Sequence, residues 1–305
     1  MQNRKSVLIL MSTYNGEKYL KAQLDSIIAQ KNINVHFLIR DDGSSDKTVS
    51  ILEEYSNKIA NLKYYCGDNL GFTYSFYDLI HNADLNYDFY ACADQDDIWM
   101  EDKLERAINQ LETSKALLYA SNMYIVDSNL VGDHTLYENY EYAKNLLIEC
   151  FPFINPFGCT IVYSKKLQQI LIKGLPHYKI PHDLWLHITA NFNGNIIIDK
   201  YPTIRHRVHD NNACGIGDSI IERINKLKKF YLSDSRITSD IAAQEAIRLF
   251  STNNLSKENH NLITLIINYR NNLYSKFKLC CASQFKIIKF RKRIEFYFLI
   301  LIGKF

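Results

Sequence analysis

Four times in the first 111 residues, a strand-length apolar segment gives way to apolar residues at helical spacing. The segments are 7–11, 35–39, 62–66 and 87–91, and Val7-Leu8-Ile9-Leu10-Met11 is apolar throughout, as a strand buried on both faces must be. After the first, Leu20, Leu24, Ile27 and Ile28 fall at i, i+4, i+7 and i+8, which is one helical face. Val49, Ile51, Leu52 and Tyr55 mark a second helix. Phe72, Phe76, Leu79 and Ile80 mark a third, and Met100, Leu104, Ala107, Ile108 and Leu111 a fourth. Repeated β–α units of this kind require right-handed crossovers and a mostly parallel sheet covered by helices. The fold class is α/β, Rossmann-like.

The rest of the chain is less regular. Residues 116–126 read as one or two strands, 127–144 as a polar surface loop, 159–163 as a strand, and 165–172 and 184–192 as helices. Residues 151–156 cannot be regular helix, because Pro152 and Pro156 each restrict the residue before them. Short strands are expected at 196–198 and 203–208, and beyond Gly217 the pattern is helical. A chain of 305 residues with 47% hydrophobic and 23% charged residues can bury a full core, at about 150 residues per domain.

Net charge is +3, too balanced for nucleic acid to be the default partner. The average hides an asymmetry, since residues 276–305 hold eight Lys/Arg against one Glu and the remainder carries −4. Seven cysteines without a CxxC pair imply reduced thiols and a cytoplasmic setting rather than a zinc ribbon or disulfide framework. Residues 1–11 lack the features of a signal peptide, and the apolar stretch 296–303 is far below the ~20 residues that span a bilayer.

Ligands of open parallel sheets bind beyond the carboxyl ends of the strands. Three polar clusters stand there: Ser12-Thr13-Tyr14-Asn15, Asp41-Asp42-Gly43-Ser44 and Asp94-Gln95-Asp96-Asp97. Ser44, Ser45 and Asp46 suit helix capping. Three carboxylates within four residues are harder to accommodate, because they repel and raise one another's pKa. A divalent cation removes that repulsion, and hard oxygen ligands suit Mg²⁺ or Mn²⁺ shared with phosphates. No G-x-G-x-x-G follows the first strand and no G-x-x-x-x-G-K-[ST] occurs, so nicotinamide-binding and P-loop sites are not expected.

The segments 7–16, 41–48 and Asp94-Gln95-Asp96-Asp97-Ile98-Trp99, in this order and spacing, resemble the family 2 glycosyltransferases of the GT-A fold. With Pro181-His182-Asp183-Leu184-Trp185 they are most similar to bacterial rhamnosyltransferase-like enzymes of surface polysaccharide assembly. The resemblance covers about residues 5–215. It implies a GT-A domain at 1–215, with a nucleotide-binding half to about 115 and an acceptor half after it, then a helical C-terminal extension over 216–305.

What the resemblance implies residue by residue is as follows. Tyr14 would stack on the nucleobase, with Ser12 and Thr13 at base and ribose. Asp42 would accept from a pyrimidine N3–H, Asn69 and Gly71 would line the donor pocket, and Asp94 would lie at the ribose. Asp96 would hold a Mg²⁺ or Mn²⁺ ion on the diphosphate, with His209 of Arg207-Val208-His209-Asp210 approaching the metal or the diphosphate. Asp183 would be the general base of an inverting transfer from a UDP- or dTDP-sugar to a glycan or lipid-linked glycan acceptor, with no nucleic acid as partner. The Gln-x-x-Arg-Trp motif and membrane helices of processive synthases are absent, which favours transfer of one sugar. Leu184 stands where relatives often have a second Trp.

Several readings stay open on the residues alone. His177, His182 and His187 are spaced by five, which gives no zinc helix, and His206 and His209 on a strand would face opposite ways. Trp99 and Trp185 read as buried anchors of the two acidic loops, with a sugar-facing role as the alternative. The basic stretch 286–293 and the apolar residues after it suit the inner surface of an anionic bilayer, or else an ordinary helix packing Phe296, Leu299 and Ile300 on the body. A catalytically inactive sugar-nucleotide-binding subunit and a D-x-D phosphatase are the competing functions.

Overall fold

The β–α alternation is realised in a computed structural model that describes residues 4–136, 157–209, 238–250, 252, 255–282 and 290–305. Strands β1 (Ser6–Thr13), β2 (Asn34–Asp41), β3 (Leu62–Cys66) and β4 (Phe89–Ala93) alternate with α1 (Leu20–Ile28), α2 (Thr48–Lys58) and α3 (Phe72–Asn82), and α4 (Lys103–Ser114) follows. All pairings among the four strands are parallel, in the order β3-β2-β1-β4. Strand alternation divides β1 between two cores. Val7, Ile9 and Met11 pack under α1, α2 and α4, while Leu8 and Leu10 pack on the other face with α3.

The second half continues the same sheet with mixed direction. β6 (Leu118–Val126) is a single strand, and β7 (Ile161–Ser164) inserts antiparallel between β4 and β6. β8 (Ile196–Arg207) runs parallel to β6 with register shifts around Asn122, so the two short strands expected at 196–198 and 203–208 are one. The strand expected at 159–163 begins as a 3₁₀ turn, Gly158–Thr160. A two-residue strand, β5 (Ile98–Trp99), pairs antiparallel with Ile204 and Arg205 of β8. It ties the second acidic loop to the end of β8.

Helices α5 (Lys165–Leu171) and α6 (His182–Asn193) cover the α3 face, followed by α7 (Ser239–Leu249), α8 (Lys257–Asn268), α9 (Leu273–Cys280) and α10 (Phe290–Leu301). These C-terminal helices share one core with the sheet. Trp185 and Phe192 of α6 meet Phe250 at ring distances of 5.6 and 6.0 Å, and Phe296 and Phe305 enclose Tyr269 and its neighbours. Truncating a buried member such as Leu299 to Ala would cost about 2–5 kcal/mol. The segment 151–156 and the boundary expected near Gly215 lie outside the described residues. Among described residues no helix is long and apolar enough to cross a membrane.

Candidate active site

The carboxyl ends of β1, β2 and β4 open on one cavity of about 390 Å³. Its wall includes Ser12, Tyr14, Asp42, Asn69, Gly71, Asp94, Asp96 and Asp183, residues drawn from five separate stretches of sequence. Thr13 is the exception among the residues expected at the nucleoside. Alternation along β1 turns it away from Ser12, and its buried Oγ1 donates to Asp41 Oδ1 at 3.0 Å. Thr13 braces the loop and does not line the cavity.

The first acidic loop is fully cross-braced. Asp41 accepts from Ser44 N at 2.8 Å and from Ser44 Oγ at 2.6 Å. Asn15, at φ 47°, donates its N–H to Ser44 Oγ and accepts from Ser45 N through Oδ1, each at 2.9 Å. Asp46 accepts from Glu17 N and Thr48 N, which anchors the start of α2. Of Ser44, Ser45 and Asp46, expected as helix caps, only Asp46 reaches the start of α2. The N-cap residue of that helix, Lys47, makes no side-chain capping bond, while Ser44 and Ser45 brace the loop through Asp41 and Asn15.

Asp42 faces the cavity with its carboxylate already oriented. Oδ1 accepts from Leu70 N at 2.9 Å and from the Arg40 guanidinium, and Oδ2 accepts from Gly71 N at 2.8 Å. Gly71 holds φ +75°, a left-handed conformation natural to glycine, and that aims its N–H at Asp42. Arg40 is the residue that sequence reasoning passed over. Buried behind Asp42, it also donates to Asp78 Oδ2 at 3.0 Å and to the Asp68 carbonyl at 2.8 Å. A side chain at Gly67 would collide with its guanidinium. The signal was present as a cation immediately before two acids.

Gln95 joins the first and fourth strand ends. Its Oε1 accepts from Tyr14 N at 2.9 Å and its Nε2 donates to the Tyr14 carbonyl at 3.0 Å. A Cβ at Gly16 would lie 2.3 Å from that Oε1, so the glycine makes room for the clamp. Tyr14 itself stands half exposed at the rim.

The second acidic loop keeps its charge less well compensated. Burial, then repulsion from Asp97 and Asp96, holds the Asp94 carboxyl well above the usual range. Burial and Asp97 raise Asp96 as well, against the pull of His209. His209 Nε2 lies 2.9 Å from Asp96 Oδ2, and His206 Nδ1 lies 2.9 Å from Asp97 Oδ1. The two histidines do not face opposite ways as a strand would require. β8 ends at Arg207, so His209 leaves the strand and turns back to the same loop. Arg207 Nε donates to the Asp96 carbonyl at 2.9 Å and its guanidinium stacks 4.5 Å from the Tyr19 ring. Burial opposes protonation of His206, but Asp97 and its neighbours outweigh it and raise its pKa.

These residues can be tested for fit to a divalent ion. Two cis ligands each ~2.1 Å from an octahedral ion stand about 3 Å apart, which is the spacing of Asp96 Oδ2 and His209 Nε2. A second grouping, Asp94, Asp97, Cys159 and His206, has ligand atoms within 4.8 Å of one another. It suits a hard ion less well. It includes a thiol that burial keeps protonated with its pKa well raised, and a soft sulfur ligand is a poor match for a hard ion. Nothing here makes Cys159 reactive. Asp96 and His209 fit Mg²⁺ or Mn²⁺.

Asp183 enters from α6, in its first turn, with Oδ1 accepting from Leu184 N at 2.7 Å. The loop before it is held by Tyr77, whose hydroxyl donates to the Ile180 carbonyl at 2.7 Å. His182 fixes the helix start by packing rather than by charge. Its ring stacks on Phe76 at 3.9 Å, and a Cβ at Gly158 would meet its Nε2 at 2.5 Å. Burial lowers its pKa to about 3, so it stays neutral. Trp99 and Trp185 are both buried, one behind each acidic segment, as anchors.

Known proteins similar to this chain bear on its family and its fold. The model of glycosyl transferase family 2 matches residues 8–171. A dTDP-rhamnosyl transferase, RfbG of Shigella flexneri, is 32% identical over 266 residues, covering 81% of this chain and 88% of its own. A glucosyltransferase of Escherichia coli, WfgD, named for UDP-glucose and a GlcNAc-diphosphoundecaprenol acceptor, is 29% identical over 217 residues, covering 67% of this chain and 80% of its own. Among solved structures, S. aureus TarS 1–349 with UDP-GlcNAc superposes with TM-score 0.55 at 18% identity, covering 92% of this chain and 82% of its own. The mannosyltransferase PcManGT of Pyrobaculum calidifontis with GDP-Man and Mn²⁺ gives 0.56 at 14% identity, over 93% and 74% of the two chains. At these identities the structures speak for the fold, which is GT-A.

Proposed function

Because this chain belongs to glycosyl transferase family 2, we propose that it is an inverting, metal-dependent enzyme moving one sugar from a UDP- or dTDP-sugar to a lipid-linked glycan in bacterial surface polysaccharide assembly. The observation that carries this reading is the convergence of Tyr14, Asp42, Asp94, Asp96 and Asp183 on one cavity. The names of RfbG and WfgD support the pyrimidine donor, and that of WfgD supports the lipid-diphosphate acceptor. The phosphatase alternative loses its ground, since that class carries D-x-D after its first strand and here it follows the fourth.

The nucleobase would sit between the Tyr14 ring and Asp42. Asp42 Oδ2 accepts one hydrogen bond within the protein, which leaves it capacity to accept the imide N3–H of uracil or thymine. A carboxylate cannot donate, so cytosine, whose N3 is an acceptor, is disfavoured. Asp94, with its raised pKa, would meet the ribose as donor or acceptor. A divalent ion held by Asp96 and His209 would supply Lewis-acid stabilisation of the leaving diphosphate. Asp183 would remove the acceptor hydroxyl proton as that oxygen attacks the anomeric carbon from the face opposite the diphosphate. The N-terminus of α6 favours its ionised form, and the same negative charge stabilises an oxocarbenium-like transition state.

The test is a donor panel in which nucleoside diphosphate release is followed with Mg²⁺, Mn²⁺ or chelator. Asp183→Asn should bind donor as the wild type does and lose transfer. Turnover preserved in that variant would remove Asp183 as the base, and release unaffected by chelator would remove the metal.

A further inference from the structure

Helix α10 is apolar on two opposite faces. Phe296, Leu299 and Ile300 are buried in the core, which meets the expectation of an ordinary packed helix. Ile294, Phe298, Leu301 and Ile302 follow i, i+4, i+7, i+8 spacing on the other side, each between 43% and 63% exposed. Helix α9 adds Leu273, Tyr274 and Phe277, between 64% and 82% exposed. Lys276, on the flank of α9, donates from Nζ to the Leu301 carbonyl at 3.1 Å, so the two stripes adjoin. Seven of the sixteen large apolar residues exposed among the described residues are gathered here. Single exposed apolar residues are ordinary, but a contiguous group marks an interaction surface.

The charge around this face selects its partner. Residues 276–305 carry +7 while the rest of the chain carries −4, and five basic residues fall within 286–293. Lys278 Nζ lies 5.5 Å from the Tyr274 ring, so cations stand directly beside the apolar surface. A second copy would bring together two segments that each carry +7 in sequence, with Lys276 and Lys278 on the face itself, which disfavours self-association through it. An anionic bilayer offers hydrocarbon for the aromatic and aliphatic side chains and negative headgroups for the lysines and arginines. We propose that the α9–α10 face docks on the surface of an anionic lipid bilayer without crossing it. The surface stands independently of the donor chemistry, and it depends on the reading above only for its purpose of bringing the cavity to a lipid-linked acceptor.

The test is flotation of the full chain with vesicles of equal phosphatidylglycerol and phosphatidylcholine, against phosphatidylcholine alone, at 0.1 and 0.5 M NaCl. Two double variants, Leu273→Ser with Phe277→Ser and Phe298→Ser with Leu301→Ser, change exposed positions and leave Phe296, Leu299 and Ile300 in the core. Truncation would remove those three. The wild type should float with the anionic vesicles, at least tenfold less with neutral vesicles or high salt, and each variant at least tenfold less. No flotation, equal flotation with neutral vesicles, or variants floating like the wild type would overturn the proposal. Wild-type dimers that the variants convert to monomers, with no flotation, would assign the face to a second copy and overturn it as well. Nucleoside diphosphate release is measured without vesicles, so failure of the docking surface and failure of the enzyme reading are separate results.

Discussion

The two acidic loops look alike in sequence and are handled in opposite ways by the fold. Around Asp41 and Asp42, hydrogen-bond donors from Arg40, Ser44, Leu70, Gly71 and Thr13 meet the carboxylate oxygens. Around Asp94, Asp96 and Asp97, burial with mutual repulsion raises Asp94 and Asp96, although His209 pairs with Asp96 and His206 with Asp97. The first loop is finished before any ligand arrives, as a rigid reader of a hydrogen-bond pattern should be. The second would gain from a positive charge, as the proposed metal supplies. Under the proposed function, two strings of acids at two strand ends would serve recognition in one place and ion binding in the other.

The largest effect that would break this contrast is on catalysis. Asp96→Ala should reduce metal-dependent transfer by about 10³-fold or more, an order typical of lost transition-state charge stabilisation, measured as nucleoside diphosphate release. The next is on stability, with opposite signs in the two loops. Asp42→Ala leaves the Arg40 guanidinium buried with less compensation and should cost about 3–5 kcal/mol by urea unfolding. Asp96→Asn, by contrast, relieves repulsion and should leave the metal-free protein as stable as the wild type or more so. Destabilisation by both substitutions would erase the distinction.

Smaller effects sharpen it. Gln95→Glu keeps an acceptor for Tyr14 N but cannot donate to the Tyr14 carbonyl, and adds a fourth acid to the second loop. A loss of about 1–3 kcal/mol is expected in unfolding. Asp46→Ala should cost about 1 kcal/mol at neutral pH. Burial works against ionised Asp46, yet hydrogen bonds from Thr48 and Glu17 outweigh it and lower its pKa. A lowered carboxyl pKa stabilises the fold above the unfolded value near 3.8 and loses that contribution as pH falls through the folded one. The difference between wild type and Asp46→Ala should therefore shrink as the solution is acidified below pH 4.

Much of this was legible before any coordinates. Continuous apolar runs and helical spacing located the β–α units, and clusters of acids at strand ends located the cavity. The strand expected at 87–91 lies two residues later, at Phe89–Ala93, where the chain is fully buried. β5 was too short to carry any period, and Pro202 disguised β8 as two strands although its pairing with β6 continues past that point. The turn of His209 back to Asp96 depends on where β8 stops, which pairing across the sheet decides and local sequence does not. The partnership of Arg40 with Asp42 and Asp78 likewise spans separate elements. Thr13 was misplaced because its neighbours share its chemistry but not its side of the strand.

Isothermal titration of UDP and dTDP, with and without Mn²⁺, into the wild type and Asp96→Ala tests most directly whether cation and nucleotide share one pocket. The expected result is wild-type affinity at least tenfold higher with Mn²⁺ and metal-independent affinity in the variant. Equal wild-type affinity with and without the ion, or a Mn²⁺ effect that survives the substitution, would contradict it.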